Sequence, residues 1–425
     1  MKSAFAWATV VVSFGCSSGH ATSNDDGGTT SSGGNAATGG SPGASGAAGS
    51  GAGAAAGANS GSGGGAGPDA GSGAAGASSG PWDAGNTPGT CKAGLPAEAK
   101  AVDSSKATTV VGHGTAASCD FASLKAAVEM GGVVTFDCGD APVTIAVTAT
   151  LSAPTDKDTV IDGGRRVTLD GESQVQLVRF DSPGWQTNEH RLTLQHIALV
   201  NAKTTPMQAI PKAPPPCSQG FDDGQGGAVY MRDGNLTVVD AVFTGNQAAP
   251  LGPDTGGGAI YVQGSKHGVV IASSTFEKNT GSNGGAVGGL FAELHVYESR
   301  FSQNTAVGNG ANNDDASMCS AMNNGQHEIG SGGNGGALYS DGNSVNVVLC
   351  GDEITGNAAG MGAFGGGLFF TSNNMQGTLS IADTTMTGNT GGHWTNVSTG
   401  SVKSAGSAVG TNCKSITVQN STLQN

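Results

Sequence analysis

Gly226-Gly227-Ala228-Val229-Tyr230, followed by Phe243-Thr244-Gly245-Asn246, is the couplet that decides the fold of this 425-residue chain. Its first half returns as Gly257-Gly258-Ala259-Ile260-Tyr261, Gly284-Gly285-Ala286-Val287-Gly288 and Gly335-Gly336-Ala337-Leu338-Tyr339, then more loosely from Gly365 and Gly406. Its second half returns as Phe276…Asn279, Phe301…Asn304, Ile354…Asn357 and Met386…Asn389, with Leu423 opening a sixth. Between the halves lies an aliphatic pair two residues apart: Leu236/Val238, Val269/Ile271, Leu294/Val296, Val347/Leu349, Leu379/Ile381 and Ile416/Val418. A recurrence near thirty residues marks a stacked array. Two-residue spacing marks strands, because side chains alternate faces along a strand. No amphipathic helix fits inside a repeat.

A short strand, a turn, a second strand and a Phe-led third segment describe one rung of a parallel β-helix. The fourth residue of each first half is aliphatic and is expected inside, beside glycines that suit a tight corner. The Asn three after the Phe suits a bent corner, where its amide tolerates left-handed backbone, and stacked copies are expected to form a hydrogen-bonded ladder. Phe243, Phe276 and Phe301 are expected to stack about 4.8 Å apart. Paired Gly-Gly-Ala-aliphatic and Phe-x-x-Asn motifs resemble the polymorphic outer-membrane protein repeats of bacterial surface proteins, over about residues 120–425. The resemblance implies an all-β, right-handed parallel β-helix of the pectin-lyase-like class. A helix, a strand and a Cys pair opening the domain are also similar to what such proteins show.

Residues 1–16 read as an export signal: Lys2, an apolar core from Ala4 to Phe14, and Ser13-Phe14-Gly15-Cys16, which resembles a lipobox with Cys16 as the lipidation site. Residues 17–90 read as a disordered Gly/Ala/Ser tether with an r.m.s. reach of roughly 45–50 Å. Lipid and tether together predict an outer-membrane lipoprotein on the surface of a Gram-negative cell, held to the membrane through the lipid only. Ser17 after the Cys favours that membrane by analogy with sorting rules. Residues 91–425 read as the β-helix domain. Asp120–Met130 is predicted as a helix stopped by Gly131-Gly132, covering the open N-terminal end. Cys119 and Cys138 flank this helix–strand unit, and a bridge between them is expected in an exported protein. A second bridge, Cys319 to Cys350, is expected because Cys350 points outward beside inward Leu349.

The composition limits function. A net charge of −14 with 12% charged residues argues against nucleic acid. Gly112-His113-Gly114 stands alone, ahead of the helix, without the other motifs of polygalacturonases, and His113 reads as loop. Asp222-Asp223 and Asp314-Asp315 read as solvated loop residues, not the spaced carboxylates a hydrolase needs. No zinc, serine-hydrolase or phosphate-loop pattern is present, and no cofactor, metal site or catalytic residue is assigned. The fifth residue of the first half is aromatic in four copies: Tyr230, Tyr261, Tyr339 and Phe369. Alternation puts these rings on the outer face, either as a stripe that binds a neutral glycan or a surface protein or as rings covered by loops. The expectation is a surface protein that binds or displays; the alternative is a polysaccharide lyase or glycoside hydrolase of the same fold.

Overall fold

A computed structural model describes residue 82 and residues 84–205, 224–250, 252, 254–308, 332–360, 363–391, 404–405 and 407–424. Cys16, most of 17–90, Cys217, Cys319 and both acidic pairs lie outside the described residues. The described chain is mostly β, built of long parallel sheets, and is compatible with a parallel β-helix. From Val229 onward each repeat supplies three strands, as in Val229–Arg232, Asn235–Val239 and Val242–Thr244. Each strand pairs in parallel with its counterpart one repeat on: Val229 with Ile260, Leu236 with Val269, Phe243 with Phe276. The first strands form a nine-stranded sheet and the second and third strands a seventeen-stranded one. We call the connections between first and second strands turn A, between second and third turn B, and between third and next first turn C.

Inward residues of all three strands fill one core, including Val229, Leu236 and Phe243 and their counterparts. The stack of Phe243, Phe276 and Phe301 is as expected, with ring centroids 4.8 and 4.7 Å apart and planes within 3°. At turn C the leading glycines Gly226, Gly257, Gly284, Gly335 and Gly365 all have φ near +60°, a backbone that glycine alone adopts without strain. The second glycines are required by proximity: a Cβ on Gly227 would overlap the carbonyl oxygen of Gly258 one repeat away.

The asparagine ladder exists, but not in the left-handed backbone expected for it. Asn246 Nδ2 donates to Asn279 Oδ1 (2.9 Å), Asn279 to Asn304 (2.9 Å), Asn304 to Asn357 (2.9 Å) and Asn357 to Asn389 (3.0 Å). Each Oδ1 also accepts the backbone N–H of the preceding Asn, and Asn279 Nδ2 also donates to the Phe243 carbonyl. The residue before the Asn makes the bend instead: Gly245, Lys278, Gln303, Gly356 and Gly388 have positive φ. That leaves the amide free to point inward and satisfy three backbone or side-chain partners. A second ladder runs at turn B through Ser274, Ser299, Asp352, Thr384 and Ser421, each side-chain oxygen accepting the N–H of the equivalent residue one repeat earlier.

The N-terminal end is closed by the helix Phe121–Met130, capped by Asp120, whose carboxylate accepts the Ser123 N–H. Leu124, Ala127 and Val128 face the core. Cys119 and Cys138 are disulfide-bonded as expected. The strand Thr159–Asp170 runs on through Asp162-Gly163 by a bulge at Gly164 and Arg165.

The second disulfide is Cys91–Cys350, not Cys319–Cys350. Cys350 ends a second strand beside turn B, whereas the excursion holding Cys319 leaves from turn C. What lies against turn B is the segment before the helix. Asn86 N–H donates to the Glu298 carbonyl (2.7 Å), Gly89 N–H to Glu298 Oε1 (2.7 Å) and Lys92 N–H to Asp383 Oδ2 (2.9 Å). The segment then returns along the stack, packing Leu95 and Ala99 on Val270, Ala272 and Tyr297. Val102 N–H bonds Gln195 and the Ser104 hydroxyl bonds Asp162. This strap therefore ties turns from several repeats together.

Candidate functional site

Strand alternation puts Tyr230, Tyr261, Tyr339 and Phe369 on the outer face of the nine-stranded sheet, where Tyr230 pairs with Tyr261 and Tyr339 with Phe369. They are not an exposed stripe. Tyr261 is fully buried, Tyr230 and Tyr339 are 5% and 3% exposed, and Phe369 is 9% exposed. Phe364 packs on Tyr339 and Phe369, whose rings stack 5.7 Å apart, and the Tyr261 hydroxyl donates to the Asp254 carbonyl. The two copies with glycine in place of an aromatic follow the same packing. A Cβ on Gly288 would sit 2.6 Å from the Tyr261 ring, and one on Gly410 would sit 2.6 Å from Phe364. Segments of turn C, outside the repeat pattern, cover what alternation alone leaves bare.

At the N-terminal end of this face lies a cleft of about 420 Å³, lined by Thr150, Ser152, Gln174, Gln176, Arg179 and Lys203 among others. Its floor is rigid, because Gln176 Nε2 donates to the Thr204 hydroxyl (3.1 Å) and the Gln225 carbonyl (3.0 Å). The Arg179 guanidinium lies 4.3 Å from the centroid of the Tyr230 ring and donates to Asp181 Oδ2 (2.8 Å). Its charge is thus already met by a carboxylate and a ring face. The lining that remains is hydroxyls and amides together with the Lys203 ammonium.

Three carboxyls stand out electrostatically: Asp341, Asp162 and Asp352, the last raised well above the usual carboxylate range by its burial at turn B. Asp341, at the C-terminal end of a first strand, accepts from the Tyr339 hydroxyl (3.1 Å) and Asn373 Nδ2 (2.8 Å). Burial, with the charge of Asp254 adding to it, pushes its carboxyl up to about 7 despite these bonds. At turn B, Asp162 accepts from His196, Ser104, Gln195 and the Gly164 N–H. Burial alone would raise Asp162, but these bonds outweigh it and hold the carboxyl well below the usual carboxylate range. The bond to Asp162 raises the His196 imidazole against its burial, and Asp240 lies 3.7 Å from the other ring nitrogen. This cluster meets the strap through Ser104, which makes it a fastening point.

His113 lies exposed in a loop, as expected. Arg300 pairs with Glu353 and Lys278 with Glu277. Among the described residues no three His, Cys, Asp or Glu side chains are grouped to hold a metal. One exposed aromatic feature was not anticipated from the sequence: Trp185, 42% exposed at turn A, in edge-to-face contact with Phe291 (5.6 Å, 64°). Trp185 lies outside every repeat, so periodicity gives it no signal. Comparison with protein-family models, curated proteins and solved structures finds no match to this chain.

Proposed function

We propose that this chain is a right-handed parallel β-helix of the pectin-lyase-like class, exported, anchored through a lipid on Cys16 and tethered at the cell surface, where it binds a neutral glycan without cleaving it. The observation that carries the binding reading is the cleft beside Arg179. Its hydroxyls and amides suit a hydroxyl-rich ligand, and its arginine is already paired. Shallow polar clefts with a stiff floor orient a ligand by placed hydrogen bonds. A glycan array compared between wild type and Gln174→Ala/Lys203→Ala tests it: binding to neutral glycans should fall in the double variant, and unchanged binding would remove the cleft from the reading. The anchor is tested separately. Cys16→Ser should release a membrane-pelleting protein, since in this reading the lipid on Cys16 supplies the membrane affinity, and a mature N-terminus without acyl mass would end that part of the proposal.

Asp341 favours a second reading. A carboxyl held protonated near neutrality beside another acid, Asp254, is what a general acid requires. The carbohydrate-active alternative therefore centres on Asp341. It predicts new reducing ends from a polysaccharide and their loss in Asp341→Asn, whereas the binding reading predicts no product from neutral or acidic polymers.

A further inference from the structure

We propose that Trp185 and Phe291 form a stacking platform for a neutral saccharide, a second ligand site at turn A separate from the cleft. The proposal rests on the glycan-binding reading for its ligand class and on different residues for its evidence.

The platform is built by a departure from the repeat. Most connections at turn A are short, yet residues 182–190 form a nine-residue loop that passes over the turn Asp233-Gly234 to reach the repeat beyond. A buried carboxylate anchors it. Asp233 is 1% exposed and accepts from the Thr187 N–H (2.6 Å), the Asn188 N–H (3.1 Å) and the Ser182 hydroxyl (2.9 Å). Gln186 then donates its N–H to the Gly264 carbonyl (2.8 Å) and its side-chain amide to the Phe291 carbonyl (3.2 Å). These bonds clamp both residues next to the rings.

The geometry leaves one ring face open. A Cβ on Gly264 would sit 2.5 Å from the Trp185 ring, so the indole rests on bare backbone, and it is still 42% exposed. Phe291 stands at 64° to it as a wall. Phe291 itself has φ +50°, an unfavourable backbone for a bulky residue, and such outliers persist where surrounding structure imposes them. Neither ring adds to the core of the stack.

Size and charge select the ligand. Two rings are far too small for a stable protein interface, which buries about 800 Å² per partner. The rim offers balanced charge, with Glu189 bonded to both Lys266 and His267, so it selects for neither sign. A flat apolar face of this size fits a pyranose, whose C–H face stacks while its hydroxyls reach sideways.

The test titrates the full chain with cellohexaose, laminarihexaose and maltohexaose, following indole fluorescence and heat. Wild type should bind at least one of them, Trp185→Ala should weaken it roughly tenfold, and Trp185→Tyr should keep most of the affinity. The Gln174→Ala/Lys203→Ala variant should keep the Trp185-dependent fluorescence change. An affinity unaltered by Trp185→Ala, or no binding of any of the three hexasaccharides by wild type, overturns the platform. Loss of binding in the cleft variant alone leaves the cleft reading standing and the platform refuted, while loss in Trp185→Ala alone does the reverse.

Discussion

Phe276→Ala is the most direct test of the stacked core. Phe276 is fully buried between two parallel rings, Phe243 at 4.8 Å and Phe301 at 4.7 Å. Truncating a buried aromatic costs about 3–5 kcal/mol, the spread depending on how well the site collapses. Collapse is opposed here, because the strands on either side are held by ladder bonds and by the Asn246–Asn279–Asn304 chain one corner away. Two ring contacts are lost as well, each contributing roughly 0.5–1.5 kcal/mol beyond area burial. The cost should therefore fall in the upper part of the range. Phe301→Ala is the internal control, since its neighbours are Phe276 on one side and Ile354 on the other. It loses one ring contact and should cost less by about that single contribution. Urea midpoints measured by circular dichroism, with hydrogen exchange of the amides between 269 and 281, give both values. A cost below about 1 kcal/mol for Phe276→Ala would place the ring at the surface and refute the register.

Non-reducing peptide mapping should recover Cys91 joined to Cys350 and Cys119 to Cys138. Closing a separation of 259 residues should make Cys350→Ser destabilising by about 5–6 kcal/mol in the entropic treatment. Asn279→Leu should cost about 2–5 kcal/mol, because it orphans the buried Asn246 N–H and Phe243 carbonyl, and a neutral result in denaturant melts would mean the ladder carries no stability. Asp341 has a folded pKa of about 7, above its unfolded value, so its contribution is complete below about pH 4 and is lost as pH rises through 7. Asp341→Asn should accordingly flatten the fall in melting temperature between pH 5 and 8, and an unchanged pH profile would contradict the burial of this carboxyl.

The parts legible in the sequence were those that repeat with one residue type. Glycine at turn C and asparagine after the third strand have no good substitute for their task, so identity recurs with the period, and the phenylalanine position gives way only to other large apolar residues, Ile354, Met386 and Leu423. The turn B ladder escaped notice because Ser274, Ser299, Asp352, Thr384 and Ser421 need only a short side-chain oxygen, and several residue types supply one. The left-handed column at the same turn is equally mixed, running through His196, Asp240, Ser273, Glu298, Gly351, Asp383 and Asn420. Cys91–Cys350 was out of reach for another reason. The strap is placed by contacts with Glu298 and Asp383, and no local pattern near Cys91 encodes a partner so distant in sequence.

The aromatic residues separate scaffold from function more sharply than the sequence could. Tyr230, Tyr261, Tyr339 and Phe369 repeat, and their repetition turns out to serve packing: Tyr261 fills the space above Gly288, and Phe369 with Phe364 fills that above Gly410. In a stack whose repeats lie against one another, a position that recurs is in contact with its own copies, and that contact is reason enough for its identity. Trp185 and Phe291 have no such reason. They occur once, one in a loop that crosses a neighbouring turn and the other in a backbone state that disfavours its side chain. The hydrogen bonds that place them, above all those to the buried Asp233 carboxylate, stabilise a loop that leaves an indole 42% exposed. In this fold the place to look for chemistry is therefore where the period breaks, and turn A breaks it with an open ring face.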